Sequence, residues 1–539
     1  MQSNERKDTF LKGAALLGAA GMLVKVLGAF FRIPLGNIIG SDGMGYYQVG
    51  YSIYNFLLAF TAAGFPTAIS TLVAAKRGLG DYRGAHRVFR VAFRMLFVLG
   101  GLGALFVMFF SGFLSERVFS NPKAYYAILA MGPAIFFVSI LAAFRGYFQG
   151  MKDMAPTAAS QVVEQLGRVV FGLAGALVLV FVLVREVQYA AAFASFGASI
   201  GAFFGALTLW RIYKGRKAKI VKGFAEGVRL EKEPVTVIMK DLVRVALPIA
   251  IGTSIVPLMN MFDAFLVVRR LQMVGFTYME ANSLYGQLQG MANTLVNLPQ
   301  VLTIAIAVSV VPVISEAFTL ENHHKVRRDT KSALRVGLLI GLPASVGLGV
   351  LAGPIMSLLF PNEPESIGMI LLTLAPAVIF LSQIQVLTGV LQGLGRPDIP
   401  VRNLMVGALV KFGVTYVLTG IEVLNVRGAA IGTVLAYAIA FYLNFRAVKR
   451  YTRGKISFRE IAARPVISAL GMGIIVLISY QILGFIIGGR LSTVVAILIG
   501  GVSYGVLLML TQAVKKEDFE LIPKGEKLHR LMKRLHLMR

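Results

Sequence analysis

Two basic residues lie inside the first long apolar stretch of the chain, which runs from about residue 10 to residue 40. They are Lys25 and Arg32, and their spacing of seven residues places them on roughly one face of a helix. A cation at bilayer depth costs roughly 2.5–3.5 kcal/mol on insertion scales, so it is rare without a partner or a function. We therefore predict that both cations bind a negatively charged substrate. The alternative is that they pair with a buried carboxylate and serve only structure.

Two more cations fall in apolar segments and are candidates for the same task. Arg168 follows Glu164 by one helical turn, so an ordinary ion pair within the helix is the competing interpretation. Lys411 has no local carboxylate partner, although its long side chain could instead extend toward a membrane interface. Because both cations lie in apolar segments, we predict that Arg168 and Lys411 bind substrate. Glu164 is a candidate counter-ion.

An acidic and an amide side chain lie close together in the seventh apolar segment. Asn260 and Asp263 are three residues apart and therefore share a helical face. Two roles fit this pair: a site that couples transport to a driving cation, or a counter-ion for Lys25. The sequence leaves these two roles equally open.

The composition indicates an integral membrane protein. Of the 539 residues, 56% are hydrophobic and only 15% are charged, and the mean hydropathy is +0.73. A spanning helix needs about 20 mostly apolar residues. The segments that qualify have approximate cores at 10–39, 46–75, 88–112, 124–149, 156–184, 188–211, 238–268, 284–316, 334–359, 366–394, 400–423, 427–446, 463–488 and 491–514. The sequence therefore predicts an all-α integral membrane protein with 14 transmembrane helices.

Several kinds of chemistry are excluded or disfavoured by the residues that the chain lacks. There is no cysteine, which excludes disulfides, thiol catalysis and cysteine metal sites. The five histidines all lie in basic connecting or tail segments, and the sequence contains no phosphate-binding loop motif. We therefore expect no catalytic residue, no metal site and no cofactor. Energy for transport would come from ion gradients, membrane potential or consumption of the product.

The net charge of +28 is unevenly distributed between the two sides of the predicted spans. The termini and one set of loops carry 42 of the 54 Lys and Arg residues, whereas the opposite loops carry 7. An excess of Lys and Arg marks the cytoplasmic side of a membrane protein. We therefore predict that both termini are cytoplasmic and that the basic surface faces anionic membrane lipids. No nucleic-acid partner is expected.

The chain also contains an internal repeat. The sequence Gly-Tyr-Phe-Gln-Gly at 146–150 returns as Gly-Val-Leu-Gln-Gly at 389–393, at the ends of spans 4 and 10. The same offset places Arg168 opposite Lys411. Because six spans per repeat is an even number, we expect two six-helix bundles related by a pseudo-twofold axis along the membrane normal. The predicted division is an N-terminal bundle at 1–213, a cytoplasmic linker at 214–237, a C-terminal bundle at 238–450, two C-terminal helices at 451–514 and a basic amphipathic cytoplasmic tail at 515–539.

Motifs along the whole chain carry a resemblance to a known family. They are Thr9–Gly13, Gly64–Ser70, Phe144–Gly150, Pro156–Gln165 and the span 7 residues Asn260, Asp263, Arg269, Arg270 and Leu271. These segments resemble the MOP exporter superfamily, and within it the polysaccharide-exporter branch of Gram-positive bacteria. That branch includes MurJ-type lipid II flippases and proteins similar to stage V sporulation protein B. The resemblance implies a MATE/MurJ-like fold with a cavity between two bundles that opens alternately to each side.

For MurJ-type members, the resemblance further implies binding of an undecaprenyl-pyrophosphate-linked muropeptide. By rough alignment, Lys25 matches a cavity arginine of the family, and Arg32 lies one residue from a second one. Two other family arginines, in spans 2 and 8, are replaced here by Ala59 and Thr294. The cations of spans 5 and 11 are candidates to supply the missing charge.

The resulting expectation is a flippase for a lipid-linked glycan precursor, with lipid II as the favoured cargo. One alternative is a multidrug or organic-cation antiporter of the same superfamily, which would need carboxylates in its cavity. Another is a membrane glycosyltransferase or polymerase, which would need acidic or histidine catalytic groups on sizeable external loops. The expected partners are the precursor itself, anionic lipids and cell-wall synthesis proteins, and the protein is expected to be a monomer.

Overall fold

A computed structural model describes residues 2–59, 61, 64–228, 230–452, 454, 456–515 and 517–518. Every regular element within these residues is helical, which confirms the predicted all-α class. The part of the predicted amphipathic tail that follows residue 518 lies outside the described residues. The chain divides into two compact units, Met1–Gly286 and Gln287–Arg539.

The first unit contains nine helices among the residues that the structure describes. They are α1 (Gln2–Ala59), α2 (Phe65–Gly78), α3 (Tyr82–Phe109), α4 (Ser111–Phe113), α5 (Tyr125–Gly150), α6 (Ala155–Leu177), α7 (Val187–Glu226), α8 (Val235–Met273) and α9 (Tyr278–Tyr285). Short π-helical segments extend α4 and α6. Side-chain caps fix two of the starts: Asp81 accepts a hydrogen bond from the Gly84 amide, and Thr277 forms a capping box with Glu280.

The second unit contains ten helices within its described residues. They are α10 (Asn293–Asn297), α11 (Gln300–Thr319), α12 (His323–Val350), α13 (Ala352–Leu359), α14 (Ser366–Leu374), α15 (Ala377–Gly393), α16 (Asp398–Leu418), α17 (Arg427–Tyr451), α18 (Phe458–Ile487) and α19 (Gly489–Leu510). In hydrocarbon each backbone polar group must be satisfied within the protein. The apolar segments of this chain can meet that condition only as helices.

The helix α1 covers predicted span 1 and the first part of predicted span 2. Of the thirteen described helices that are long and apolar enough to cross a membrane, the first is the 44-residue segment Leu16–Ala59. That length is about twice what one crossing needs. Gly40 interrupts it with φ 64° and ψ −177°, a backbone conformation that glycine adopts without steric cost. The count of fourteen spans stays a prediction. It depends on whether the segment Leu16–Ala59 is counted as one span or as two.

Two of the predicted spans are divided between two of the helices. In span 2, α1 ends at Ala59 and α2 begins at Phe65, with Pro66 in its first turn. In span 8, α11 begins directly after Pro299. Proline has no amide hydrogen to donate, so it fits the first turn of a helix better than its interior. The continuous apolar sequence had predicted one unbroken helix in each case.

The predicted linker is mostly helical. Residues 214–226 continue α7, and the described residues between the end of α7 and the start of α8 are not helical. Lysine, alanine and glutamate in this stretch are good helix formers, and they sustain the helix past the apolar core of the span. Gly227 and Pro234 bracket the non-helical connection. The proposed domain boundaries themselves stay a prediction.

The two repeated glycine motifs make similar contacts in their own units. A Cβ atom on Gly146 of α5 would lie 2.9 Å from the Pro66 carbonyl oxygen in α2. One on Gly389 of α15 would lie 2.4 Å from the Ala307 carbonyl oxygen in α11. In each unit, glycine therefore allows the backbones of two helices to come very close. These similar glycine contacts in the two units agree with the predicted internal repeat.

Candidate substrate-binding site

A stripe of three tyrosines follows the break in α1. Tyr47 stacks on Tyr51 with ring centroids 5.7 Å apart, and Tyr51 lies 6.0 Å from Tyr54. Tyr47 and Tyr54 are fully buried, whereas Tyr51 is half-buried. Burial therefore favours helix packing over stacking on sugars for Tyr47 and Tyr54.

Two of the predicted substrate cations rest on this stripe. The guanidinium carbon of Arg32 lies 5.0 Å from the centre of the Tyr51 ring. Arg168 of α6 lies 5.3 Å from the Tyr54 ring centre, and its Nη2 donates a 2.8 Å hydrogen bond to the Tyr54 hydroxyl. An aromatic face attracts a cation electrostatically, most strongly where water is excluded. We call Arg32, Tyr47, Tyr51, Tyr54 and Arg168 the arginine–tyrosine cluster.

Glu164 is the acidic member of a buried network beside this cluster. Its Oε2 accepts a 2.8 Å hydrogen bond from Arg145 of α5, and its Oε1 lies 3.7 Å from Arg168. Arg145 also donates from Nε to the Ser160 hydroxyl at 3.0 Å. The ion pair within the helix that the sequence suggested is therefore present, but a cation from another helix is nearer. Arg145 was not among the predicted site residues, although a cation inside span 4 is a signal that the sequence carries.

Close packing of α6 on α7 holds Glu164 and Arg168 in position. A Cβ on Gly201 of α7 would lie 2.2 Å from the Glu164 carbonyl oxygen, so no larger residue fits there. A Cβ on Gly197 would lie 2.6 Å from the Gly172 Cα. Small residues at these positions let the two backbones touch, as is common for helices within membranes.

Arg168 retains one donor that is not used. It is 9% exposed, and its buried Nε has no hydrogen-bond partner in the described part of the chain. An arginine presents several donors in a planar fork that suits phosphate or carboxylate oxygens. Arg168 could therefore donate to an anion that replaces the Tyr54 hydroxyl, although its burial means that the cluster must first open.

Lys25 and Asp263 have different surroundings. Lys25 lies exposed on α1 and makes no hydrogen bond or ion pair with the described residues. Asp263 is buried on α8, and Asn260 is half-buried one turn earlier. The buried Tyr285 hydroxyl is within electrostatic reach of both Asp263 and Arg32. The structure thus brings Asp263 into the neighbourhood of the arginine–tyrosine cluster.

Lys411 belongs to the second unit. It is 4% exposed on α16, at the face that packs against α17. One turn later, the Thr415 hydroxyl is buried without a hydrogen-bond partner, and a Cβ on Gly432 of α17 would lie 2.6 Å from it. Burial of Lys411 disfavours the alternative in which its side chain extends to a membrane interface. Its role in substrate binding stays a prediction.

An apolar groove of about 920 Å³ lies in the first unit between α1, α3 and α8. Its lining consists of Ile53, Phe56, Leu57, Leu102, Gly103, Leu105, Phe106, Val107, Phe109, Phe110, Leu114, Val118, Phe119 and Met261. No charged residue lines it, so it suits hydrocarbon and cannot be the anion site. The cationic chemistry of this unit lies instead in the arginine–tyrosine cluster and at Lys25.

Residues 10–318 match the family described as "Polysaccharide biosynthesis protein". The chain belongs to that family. A second family, MatE, matches residues 248–417. Both assignments agree with the MOP exporter superfamily that the motifs indicated, and that superfamily assignment is confirmed.

Relatives align along nearly the entire chain. Stage V sporulation protein B of Bacillus subtilis (strain 168) is 29% identical over 518 residues, which cover 96% of this chain and 98% of that protein. Lipid II flippase MurJ of the same strain is 27% identical, with 92% and 94% covered. A solved structure of lipid II flippase MurJ in an inward closed conformation has a TM-score of 0.69 at 15% identity, covering 92% of this chain and 98% of that one. This chain is therefore a multi-pass membrane protein with a MurJ/MATE-like fold.

Proposed function

We propose that this protein is a flippase that moves an undecaprenyl-pyrophosphate-linked glycan precursor, with lipid II favoured, from the inner to the outer leaflet by alternating access. The observation that carries the proposal is the set of cations on α1 and α6 of a chain whose full-length relatives include a lipid II flippase. Within the described residues Lys25 is exposed and has no partner, Arg32 lies on Tyr51, and Arg168 holds a donor without a hydrogen bond.

The chemistry of the cargo explains why cations are needed. A pyrophosphate carries negative charge that must pass through a medium of low dielectric constant, and Lys or Arg donors form charge-assisted hydrogen bonds to its oxygens. The half-buried Tyr51 ring beside Arg32 provides a stacking surface for a sugar ring. We assign substrate binding to Lys25, Arg32, Arg168 and Lys411. Asp263, Asn260 and Glu164 serve as counter-ions or as a site for a coupling ion.

An organic-cation antiporter is the second candidate, because the MatE family matches residues 248–417. Such a transporter needs carboxylates that its cargo can reach. In the first unit, however, Glu164 is held by two arginines and Asp263 is 3% exposed. We therefore favour an anionic cargo.

Complementation in two Bacillus subtilis strains tests the proposal. One strain is depleted of lipid II flippase activity, and the other lacks stage V sporulation protein B. Growth of the first strain, with lipid II accessible at the outer leaflet, is the expected result for a lipid II flippase. Rescue of sporulation alone would indicate that the transported cargo is a precursor used in spore formation.

A third measurement addresses the antiporter. Efflux of ethidium from cells that express the protein should equal efflux from cells with an empty vector. Failure in both complementation strains at normal protein level, together with ethidium efflux above the control, would reject the flippase assignment.

A further inference from the structure

A polar cavity lies at the start of α3 and shares no lining residue with the arginine–tyrosine cluster. Its volume is about 490 Å³, within the range of small-molecule sites. The end of α2 and the first turns of α3 form one wall, and residues 230–233 of the connection between α7 and α8 form the other. Its basic lining residues are Lys76, Arg83, Arg87, Arg90 and Lys232. This end of α3 lies on the side that the charge distribution predicts to be cytoplasmic.

The acidic residues of the cavity do not neutralise these cations. Asp81 caps α3 by accepting a 2.7 Å hydrogen bond from the Gly84 amide. Glu233 is paired with Lys76. Glu231 is the remaining carboxylate in the lining. The walls therefore carry five cations against three carboxylates, and two of those carboxylates are already engaged.

Two arginines of the cavity have no partner within the described residues. Arg87 and Arg90 make no hydrogen bond or ion pair there, whereas Arg83 donates from Nε to the Phe224 carbonyl oxygen at 3.1 Å. The three arginines are spaced by four and three residues, so they project from one face of α3. Two unpaired guanidinium groups on one cavity wall match the donor geometry that phosphate oxygens accept.

His86 adds an unsatisfied polar atom to the same lining. Its ring stacks on Tyr213 with centroids 6.3 Å apart and planes 3° apart, and it lies 5.2 Å from the Phe224 ring. Its Nδ1 is buried and has no hydrogen-bond partner among the residues that the structure describes. A buried polar group without a partner costs free energy, and a ligand that supplied the missing hydrogen bond would recover it.

We propose that this cavity binds a phosphate-bearing anion, with Arg87 and Arg90 as its principal ligands and Lys232 contacting it from the opposite wall. The connection 227–234 is already held near α3, because the Val228 amide donates to the Gly80 carbonyl oxygen at 3.1 Å. A bound phosphate would bridge α3 and this connection, and so brace the junction between α7 and α8. The ligand is either the headgroup of an anionic phospholipid or a soluble phosphate, and the proposal does not depend on the transported substrate.

The test uses the full-length protein in nanodiscs of neutral phosphatidylcholine. In one arm phosphatidylglycerol replaces part of the neutral lipid, and in the other inorganic phosphate is titrated against sodium chloride of equal ionic strength. The measurement is the midpoint of thermal unfolding as a function of ligand. We compare Arg90→Gln with Arg94→Gln, because both residues are exposed on α3 and Arg94 lies outside the cavity.

The wild type and Arg94→Gln should be stabilised equally by one of the two ligands. Arg90→Gln should need about tenfold or more ligand for the same shift, since one charge-assisted contact is lost. Lys232→Gln tests the opposite wall, and it keeps the proposal testable if Arg90→Gln does not fold. If the variants lose the stabilisation only in the phosphatidylglycerol arm, the ligand is a lipid headgroup. If they lose it only in the phosphate arm, the ligand is a soluble phosphate. Equal responses of all variants in both arms would overturn the proposal.

Discussion

At the scale of single residues, the first unit keeps its cations in two different states. Arg168 and Arg145 share the buried carboxylate of Glu164, and Arg168 also holds Tyr54. Lys25, by contrast, is exposed and has no partner among the described residues. Removing one member of a buried ionic network leaves the other charges buried without a partner, which is destabilising. Removing an exposed lysine leaves no buried charge without a partner. Substitutions in the buried Glu164 network should therefore lower stability, whereas substitution of Lys25 should affect function without lowering stability.

We predict that the charges of Lys25 and Arg32 are needed for transport and not for folding. Loss of one charge-assisted contact to a phosphate should cost about 1.5–3 kcal/mol, which is roughly a ten- to hundredfold loss of affinity. The Lys25→Ala/Arg32→Ala double variant should reach wild-type protein level but fail to restore outer-leaflet precursor in a flippase-depleted strain.

The charge-conserving pair Lys25→Arg and Arg32→Lys is the matched control and should retain most of the activity. Normal flipping by the double alanine variant would show that these cations do not bind the substrate. Loss of the protein itself would support the structural alternative, in which each cation balances a buried carboxylate such as Asp263.

The second prediction concerns Glu164. Glu164→Ala should lower the free energy of unfolding by about 3–5 kcal/mol, because two buried arginines lose their common partner. Thermal unfolding in detergent measures this loss. Glu186→Ala is the control, since Glu186 forms only an exposed 3.7 Å pair with Lys123 and its removal should be nearly neutral. Similar midpoints for the two variants would mean that the buried network contributes no stability.

At the scale of helices, close approach is set by glycines at a few positions. Gly201 brings α7 onto the backbone of α6 beside Glu164, and Gly389 brings α15 onto α11. Other glycines in the spans have open space around the missing side chain, as Gly413 does on α16. Glycine content alone therefore does not identify a helix contact, because each glycine must also face a neighbouring backbone.

We predict opposite effects for two substitutions of the same type. Gly389→Ala places a methyl group 2.4 Å from the Ala307 carbonyl oxygen, so α15 and α11 must separate at a cost of about 1–3 kcal/mol. Gly413→Ala meets no atom within 4 Å and should be neutral or stabilising by up to about 1 kcal/mol, because alanine favours the helix. Thermal unfolding of both variants in the same detergent is the measurement, and equal midpoints would contradict this account of the packing.

At the scale of the whole molecule, charge sets the orientation in the membrane. Most Lys and Arg residues fall on one set of loops and at the termini, while the opposite loops carry few. The absence of cysteine from the chain allows each position to be labelled alone after a single substitution. Leu79, between α2 and α3, and Val423, between α16 and α17, are both well exposed and lie on opposite predicted sides.

We predict that a maleimide that cannot cross membranes labels Val423→Cys in intact cells. Leu79→Cys should react only after the cells are permeabilised, because the basic loops stay on the cytoplasmic side. The unsubstituted protein is a control for background labelling. The reverse pattern would place the termini outside and would also move the proposed phosphate cavity to the external face.

The amino-acid sequence by itself determined the class of the fold and the position of most helices. Long apolar segments can satisfy their backbone in hydrocarbon only as helices, and this requirement is local. The same reasoning could not locate the end of α1 at Ala59 or the start of α11 after Pro299, because these segments remain apolar. The apolar core of span 6 also does not mark the end of α7, which helix formers sustain to Glu226.

The contacts of the candidate site were decided only by tertiary structure. The sequence predicted Arg168 and Glu164 as site residues, but it suggested only that they pair with each other. In the structure, Arg168 also binds Tyr54, which lies 114 positions away, and Glu164 also binds Arg145 on another helix. Such pairs depend on which faces of two helices meet and how closely glycines let them approach. The periodicity of a single helix carries no information about its neighbour, so chemistry between helices appears only once the helices are packed.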